Sequence, residues 1–257
     1  MCETIKSLAE YIDYINRLSK EFVLSRGQEK DLALLPSVYR IDDNGMRYYS
    51  NQAAKEFIEE FKNNSVMYID NYIVNMKSEF DWTILAQHFG VPTCLLDFTY
   101  SHLVSLMFAV ENAFRYHEGE EGNSVVWFLN PKGLNLKAIN RNEIINLSDN
   151  PKVLDSLENA QYPCVVTAVK NNNRIVAQNG LFVFFPKHSR ALNEIEGVEE
   201  VLKKVIIPHE CAKRILASLY TMGMRFKDLY PELTSVSKDI LLKHDVLEYY
   251  KMEADNE

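Results

Sequence analysis

Arg26-Gly27-Gln28 follows the apolar run Phe22-Val23-Leu24 and is the first cluster in the chain whose residue types can do chemistry. A guanidinium at a strand end presents a fixed fork of donors to a phosphate or carboxylate. A neighbouring glycine lets backbone come close to a ligand. The structural alternative is an arginine paired with an internal carboxylate such as Asp97. A second cluster, Gln87-His88 with Thr93 and Asp97-Phe98-Thr99, is polar within an apolar neighbourhood. Buried polar groups need partners, so these side chains bond to each other or to a ligand. His88 has the chemistry of a general base, with Asp97 to orient it. Alternatively His88 ends one helix and Asp97 caps the next. The third cluster is Arg174 with Gln178-Asn179-Gly180, ahead of the apolar run 181–185. Asn-Gly is also a plain hairpin signal.

Fainter signals surround these. Cys94, flanked by Leu95 and Leu96, reads as an inert buried thiol more readily than as a nucleophile. Tyr48-Tyr49 beside Arg47 offer a stacking surface, and His102 reads as ordinary surface. Cys2, Cys94, Cys164 and Cys211 lie far apart without metal-ligand spacing, and no Walker loop, GxGxxG, HExxH or GxSxG is present, so no metal site is expected. Asp42-Asp43 and Glu59-Glu60 do not make the compact carboxylate set of a two-metal nuclease.

The elements that must position these residues read as follows. Ile5, Leu8, Ile12, Ile15 and Leu18 form the stripe of an amphipathic helix. Residues 22–24 make a strand that stops at Gly27, and residues 36–45 a loop. Residues 51–79 are helical, broken near Asn63-Asn64-Ser65, with Ile69, Ile73 and Met76 continuing the apolar face. A short helix over 82–89 ends at Gly90 with Pro92 beyond. Residues 94–99 are a buried segment, and Ser101 caps a helix running to about Phe114. Residues 119–123 are a polar turn. A strand over 125–129 ends at Asn130-Pro131. Residues 140–173 show little period, with a strand-like run at 164–169. Residues 174–177 and 181–185 read as strands of a hairpin. A strand over 202–207 precedes a helix opened by Pro208 and stopped by Gly223, and a last helix covers 235–250. This mixture lacks βαβ alternation, so the expectation is an α+β fold: a mixed, mostly antiparallel sheet with helices packed on it. One domain over 1–257 is expected, with 51–90 as a helical lobe.

The 257 residues carry 28 Lys+Arg and 36 Asp+Glu, a net charge of −8. That balance argues against non-specific binding to a nucleic-acid backbone. Composition near the globular average excludes disordered and fibrous classes. The first residues are acidic and have no apolar stretch, and no run approaches the ~18 apolar residues of a membrane span. A cytoplasmic protein with reduced thiols and no membrane partner is expected.

Four ordered blocks carry a resemblance to the FRG domain family. They are Leu24-Ser25-Arg26-Gly27-Gln28 with Leu35-Pro36-Ser37-Val38-Tyr39-Arg40; Ala86-Gln87-His88-Phe89-Gly90-Val91-Pro92-Thr93-Cys94-Leu95-Leu96-Asp97-Phe98-Thr99; Arg174 with Gln178-Asn179-Gly180-Leu181-Phe182; and Ile206-Ile207-Pro208 with Leu219, Gly223 and Leu229-Tyr230-Pro231-Glu232-Leu233. The chain departs from the family at Ser25, where an aromatic is usual, at Cys94 for Arg, and at Phe98 for Trp. The Arg-Gly opening is also similar to that of arginine-type ADP-ribosyltransferases. That likeness implies a toxin-like or phage-defence protein with NAD as substrate and no certain resident cofactor. Arg26 would hold phosphate, helped by Gly27, Arg40, Gln87, Thr99 and Arg174. Gln28 and Thr93 would orient a sugar, and Gln178 would touch the ribose. His88 and Asp97 would join Gln178 as catalytic groups. Those transferases place a Glu where Gln178 stands, and the uncharged amide loses electrostatic stabilisation. The alternative is therefore a non-catalytic binding or regulatory module whose polar cluster is structural. The resemblance names no protein or nucleic-acid target. Arg26, Thr93, Asp97 and Gln178 are expected to converge in one pocket, with Asp97 as the carboxylate partner of Arg26.

Overall fold

The computed structural model describes residues 2–68, 78–116, 122–148, 153–168 and 173–255. Among them eight strands form one mixed sheet: β1 (Glu3–Thr4), β2 (Leu24–Gln28), β3 (Leu95–Thr99), β4 (Ser124–Leu129), β5 (Ile145–Asn146), β6 (Cys164–Thr167), β7 (Gly180–Phe184) and β8 (Leu202–Ile207). Their order is β1-β8-β4-β2-β3-β7-β6-β5. The outer pairs β1–β8 and β5–β6 are parallel and the inner pairs antiparallel, as the lack of βαβ alternation predicts. The helices are α1 (Leu8–Arg17), α2 (Asn51–Ser65), α3 (Glu79–His88), α4 (His102–Val110), α5 (Pro131–Ile139), α6 (Val153–Glu158), α7 (Asn173–Ala177), α8 (His209–Thr221), α9 (Phe226–Leu229) and α10 (Leu233–Asp255).

β4 is buried at all six residues, because the sheet is covered on both faces there. On one face α1, α4, α8 and α10 bury Tyr11, Met107, Ile215 and Leu242 against Val126, Phe128 and Val205. On the other, Leu34, Val38, Leu192 and Val198 from connecting segments cover Leu24, Val125, Leu96 and Val183. A third cluster joins Phe80 and Ile84 of α3 to Leu95, Phe182 and Phe184. Ser25 pairs with Thr99 across β2 and β3, so α3 and α4 sit over the same face, and the space between them lies above β3.

Several local expectations are corrected. β2 runs to Gln28, so Arg26 and Gly27 lie inside a strand paired with Trp127 and Val126, not at its end. Residues 174–177 are not a strand but part of α7, and Asn179 at φ 49° turns the chain from α7 into β7 instead of closing a hairpin. Five residues are too short to display a helical period. The helix after Ser101 stops at Val110, short of Phe114. Asn130-Pro131 does not simply end β4: Asn130 Oδ1 accepts from Gly133 N at 2.9 Å and Pro131 sits at the first helical position, so together they start α5. The helix from Asn51 ends at Ser65, with a single 3₁₀ turn to Tyr68. Its expected continuation through Ile69, Ile73 and Met76 lies outside the described residues, as do residues 119–121 of the turn and Val169.

Candidate functional site

Three segments open the site. α3 begins at a capping box, in which Ser78 and Asp81 satisfy each other's backbone N–H, and it ends at His88, with Gly90 at φ 87° just beyond. α4 begins with Ser101 Oγ accepting from Val104 N and lies directly on β2. A Cβ on Gly27 would stand 1.8 Å from the Ser105 carbonyl oxygen and 2.7 Å from Ala109 N. The glycine is therefore required by the close approach of α4, not by a ligand. β2 pairs with β3 at the single position Ser25–Thr99, against five positions with β4. Beyond that point the two strands part, and side chains from both faces of β2 reach one space.

That space is a cavity of about 460 Å³. Arg26, Gly27 and Gln28 reach it from β2, and Arg40 from the following loop. Gln87 and His88 come from the end of α3, Asp97 and Thr99 from β3, and Arg174 and Gln178 from α7 and its exit. Thr93 is the expected site residue that does not line it. Its side chain is buried, hydrogen-bonds Gln87 Oε1, and faces a second cavity of about 270 Å³ beside Cys94 and Tyr39.

Arg26 Nη1 donates to the backbone carbonyl of Asp97 at 2.9 Å, filling an acceptor where the β2–β3 ladder stops. The expected ion pair between Arg26 and the Asp97 carboxylate is not formed; Gln87 Nε2 donates to Asp97 Oδ1 at 2.7 Å instead. Nε of Arg26 is buried without a partner. Burial pushes the Arg26 guanidinium down, Asp97 opposes this, and Arg40 adds to it. Asp97 is exposed on the cavity side of β3, and desolvation by the surrounding protein holds its carboxyl above the usual carboxylate range against the pull of Arg26 and Arg174. His88 is not bonded to Asp97 among the described contacts. Burial, then the charge of Arg174, pushes its imidazole below its ordinary range, with Glu232 opposing.

Other polar groups are engaged with the protein itself. Gln28 Oε1 accepts from Trp127 Nε1 at 2.9 Å. Thr99 Oγ1 donates to the Gln178 carbonyl at 2.6 Å, and Gln178 Nε2 donates to the Leu229 carbonyl at 3.2 Å. Ser25 is fully buried within 2.8 Å of both Ser105 Oγ and His102 Nδ1, so His102 is half-buried against β2 and not ordinary surface.

Sequence reasoning missed Glu29, Phe108 and Glu111 and gave Tyr230 no role. Tyr230 Oη donates to Glu111, 3.1 Å from Oε2 and 3.3 Å from Oε1. The Arg174 guanidinium lies 4.7 Å from the Tyr230 ring centre, and the Phe108 ring 5.8 Å from it. Burial pushes Glu111 up and, with Glu111 beside it, pushes the Tyr230 phenol up. The available signal was an acid placed directly after the apolar run 103–110.

Residues 21–118 match the FRG domain. The match covers the first two of the four blocks and supplies every cavity residue named above except Arg174, Gln178 and Tyr230. No curated protein and no solved structure matches the chain. Among the described residues no group of His, Cys, Asp and Glu is placed to hold a metal ion, and no helix is long and apolar enough to cross a membrane.

Proposed function

We propose that the chain uses the segment that matches the FRG domain, residues 21–118, together with Arg174, Gln178 and Tyr230, to bind a phosphorylated, nucleotide-like ligand. One observation carries this reading. Arg26, Arg40 and Arg174 line one cavity, and none of them forms an ion pair with a described carboxylate. Asp97, Glu29 and Glu111 line the same cavity but leave these three guanidiniums without a direct ion pair, and a bound anion supplies one. Their planar forks suit phosphate oxygens.

NAD is the leading candidate substrate, in a reaction of the ADP-ribosyltransferase or glycohydrolase type serving a toxin-like or phage-defence role. Gln178 carries no charge, so the charge that stabilises an oxocarbenium would come from Asp97 or Glu111. Calorimetric titration with NAD, ADP-ribose and ADP tests the reading, with chromatography for released nicotinamide. Binding that Arg26→Ala and Arg174→Ala weaken is expected. Absence of binding to all three at millimolar ligand overturns it.

A second reading is a non-catalytic binding module. The Gln178 amide and the Thr99 hydroxyl are held by the protein's own carbonyls, as structural groups are. It predicts no nicotinamide release, and a stability loss of roughly 1–3 kcal/mol for Gln178→Ala in urea unfolding.

A further inference from the structure

The cavity wall carries two chemically distinct groups. Arg26 and Arg40 lie within range of each other's charge, and the buried Nε of Arg26 lacks an acceptor. The same wall carries Glu111 and Glu29, near enough for the charge of Glu29 to act on Glu111. Asn112 Nδ2 donates to Glu29 Oε1, and the Tyr230 hydroxyl bridges both oxygens of Glu111 at 3.1 and 3.3 Å. A carboxylate offers about four lone-pair sites, and one phenol hydrogen fills only one of them. Glu111 therefore keeps acceptor capacity on the cavity wall, beside the Tyr230 and Phe108 rings.

What those acceptors take is narrowed by charge. A phosphate is repelled by two carboxylates. A cationic group is opposed by Arg174 and Lys238, whose charges already act on Glu111. A neutral hydroxyl donor suits the position, and a carboxylate reads a hydroxyl through a charge-assisted hydrogen bond. The geometry points to a ribose hydroxyl of the bound ligand facing Glu111, with Tyr230 positioning the carboxylate, so that this pair selects ribonucleotides over deoxyribonucleotides. This rests on the reading that phosphate binds at Arg26 and Arg40.

The test is calorimetric titration of the full chain with inorganic pyrophosphate, ADP, 2′-deoxy-ADP and 3′-deoxy-ADP. Wild type, Glu111→Ala and Tyr230→Phe are compared, with folding of each checked by circular dichroism. Wild type is expected to bind ADP about tenfold or more tighter than one of the deoxy forms, the size of a lost hydrogen bond to a charged group. Glu111→Ala should erase that ratio while binding pyrophosphate at least as tightly as wild type, since a repelling charge is removed. Tyr230→Phe should reduce the ratio. Equal affinity of wild type for ADP and both deoxy forms, or a ratio that survives Glu111→Ala, overturns the inference and leaves the phosphate reading standing. Failure of pyrophosphate and ADP alike to bind removes both.

Discussion

Arg26 is held by one hydrogen bond to the Asp97 carbonyl and keeps a buried Nε without a partner. Arg26→Ala should lower stability by only about 1–2 kcal/mol, the scale of one carbonyl left unbonded, and should weaken nucleotide binding at least about tenfold. Urea unfolding and titration on the same variant separate the two effects. A large stability loss with unchanged binding would assign the guanidinium to the scaffold. Glu111 gives a pH signature. Burial raises its pKa above that of an unfolded glutamate, so between those two values the folded chain holds the extra proton. Stability from this group is present in full below the ordinary carboxylate range and is lost as pH rises through the raised value. Glu111→Gln keeps an acceptor for Tyr230 and removes the titration. Its urea midpoint relative to wild type should therefore be higher at about pH 7 than at about pH 4. The opposite slope would mean that Glu111 is stabilised as a carboxylate.

Elements are joined here at points where small residues or side-chain amides take over from backbone. Gly27 admits α4 onto β2, and a methyl group there would meet the Ser105 carbonyl and Ala109 N. Gly27→Ala should cost about 2–3 kcal/mol, the upper part of the range for overpacking, because backbone has to move. A urea midpoint within error of wild type would show that α4 can slide. Asn135 of α5 is fully buried. Its Nδ2 donates to the Glu143 and Val165 carbonyls at 2.7 and 2.8 Å, and its Oδ1 accepts from Val165 N at 2.6 Å. The side chain thereby pairs with β6 as a strand would. Asn135→Ala leaves two buried backbone groups of Val165 and the part-buried Glu143 carbonyl unbonded and should cost about 3 kcal/mol, again read by urea unfolding. Neither role was legible beforehand. Gly27 looks like a ligand-approach glycine until α4 is seen on top of it. Asn135 sits in a helix whose start, Asn130-Pro131, reads equally well as a strand end. Strongly patterned stretches fared otherwise: α1, α8, the Gly90 stop of α3 and the strands 124–129 and 202–207 follow from spacing and caps, while residues 95–99, read as a buried segment, form β3.

At the scale of the whole molecule, the cavity draws on β2, α3, β3 and α4 from the FRG segment and on α7 and Tyr230 from beyond it, so a ligand ties the two parts together. A ligand that binds only the folded state should raise unfolding free energy by about 2.7 kcal/mol at a hundredfold excess over its Kd. Thermal scans with ADP should show an upward shift in wild type and a smaller one in Arg174→Ala; an undiminished shift in that variant would place the ligand elsewhere. The sequence alone determined the α+β class, the antiparallel bias of the sheet, most element positions and the polar clusters from which a site is made. These depend on periodicities of 2.0 and 3.6 residues and on capping chemistry, which act within a dozen positions. Only the tertiary structure decided which polar groups face a ligand and which face the protein. Arg26 turns to a carbonyl and not a carboxylate, Thr93 falls behind Gln87, and Glu111 and Tyr230 enter the wall. Those outcomes depend on where β2 parts from β3 and which helix lies above the gap. Arg26 and Asp97 are 71 positions apart in the chain and Glu111 and Tyr230 are 119 apart, separations over which local pattern carries no information.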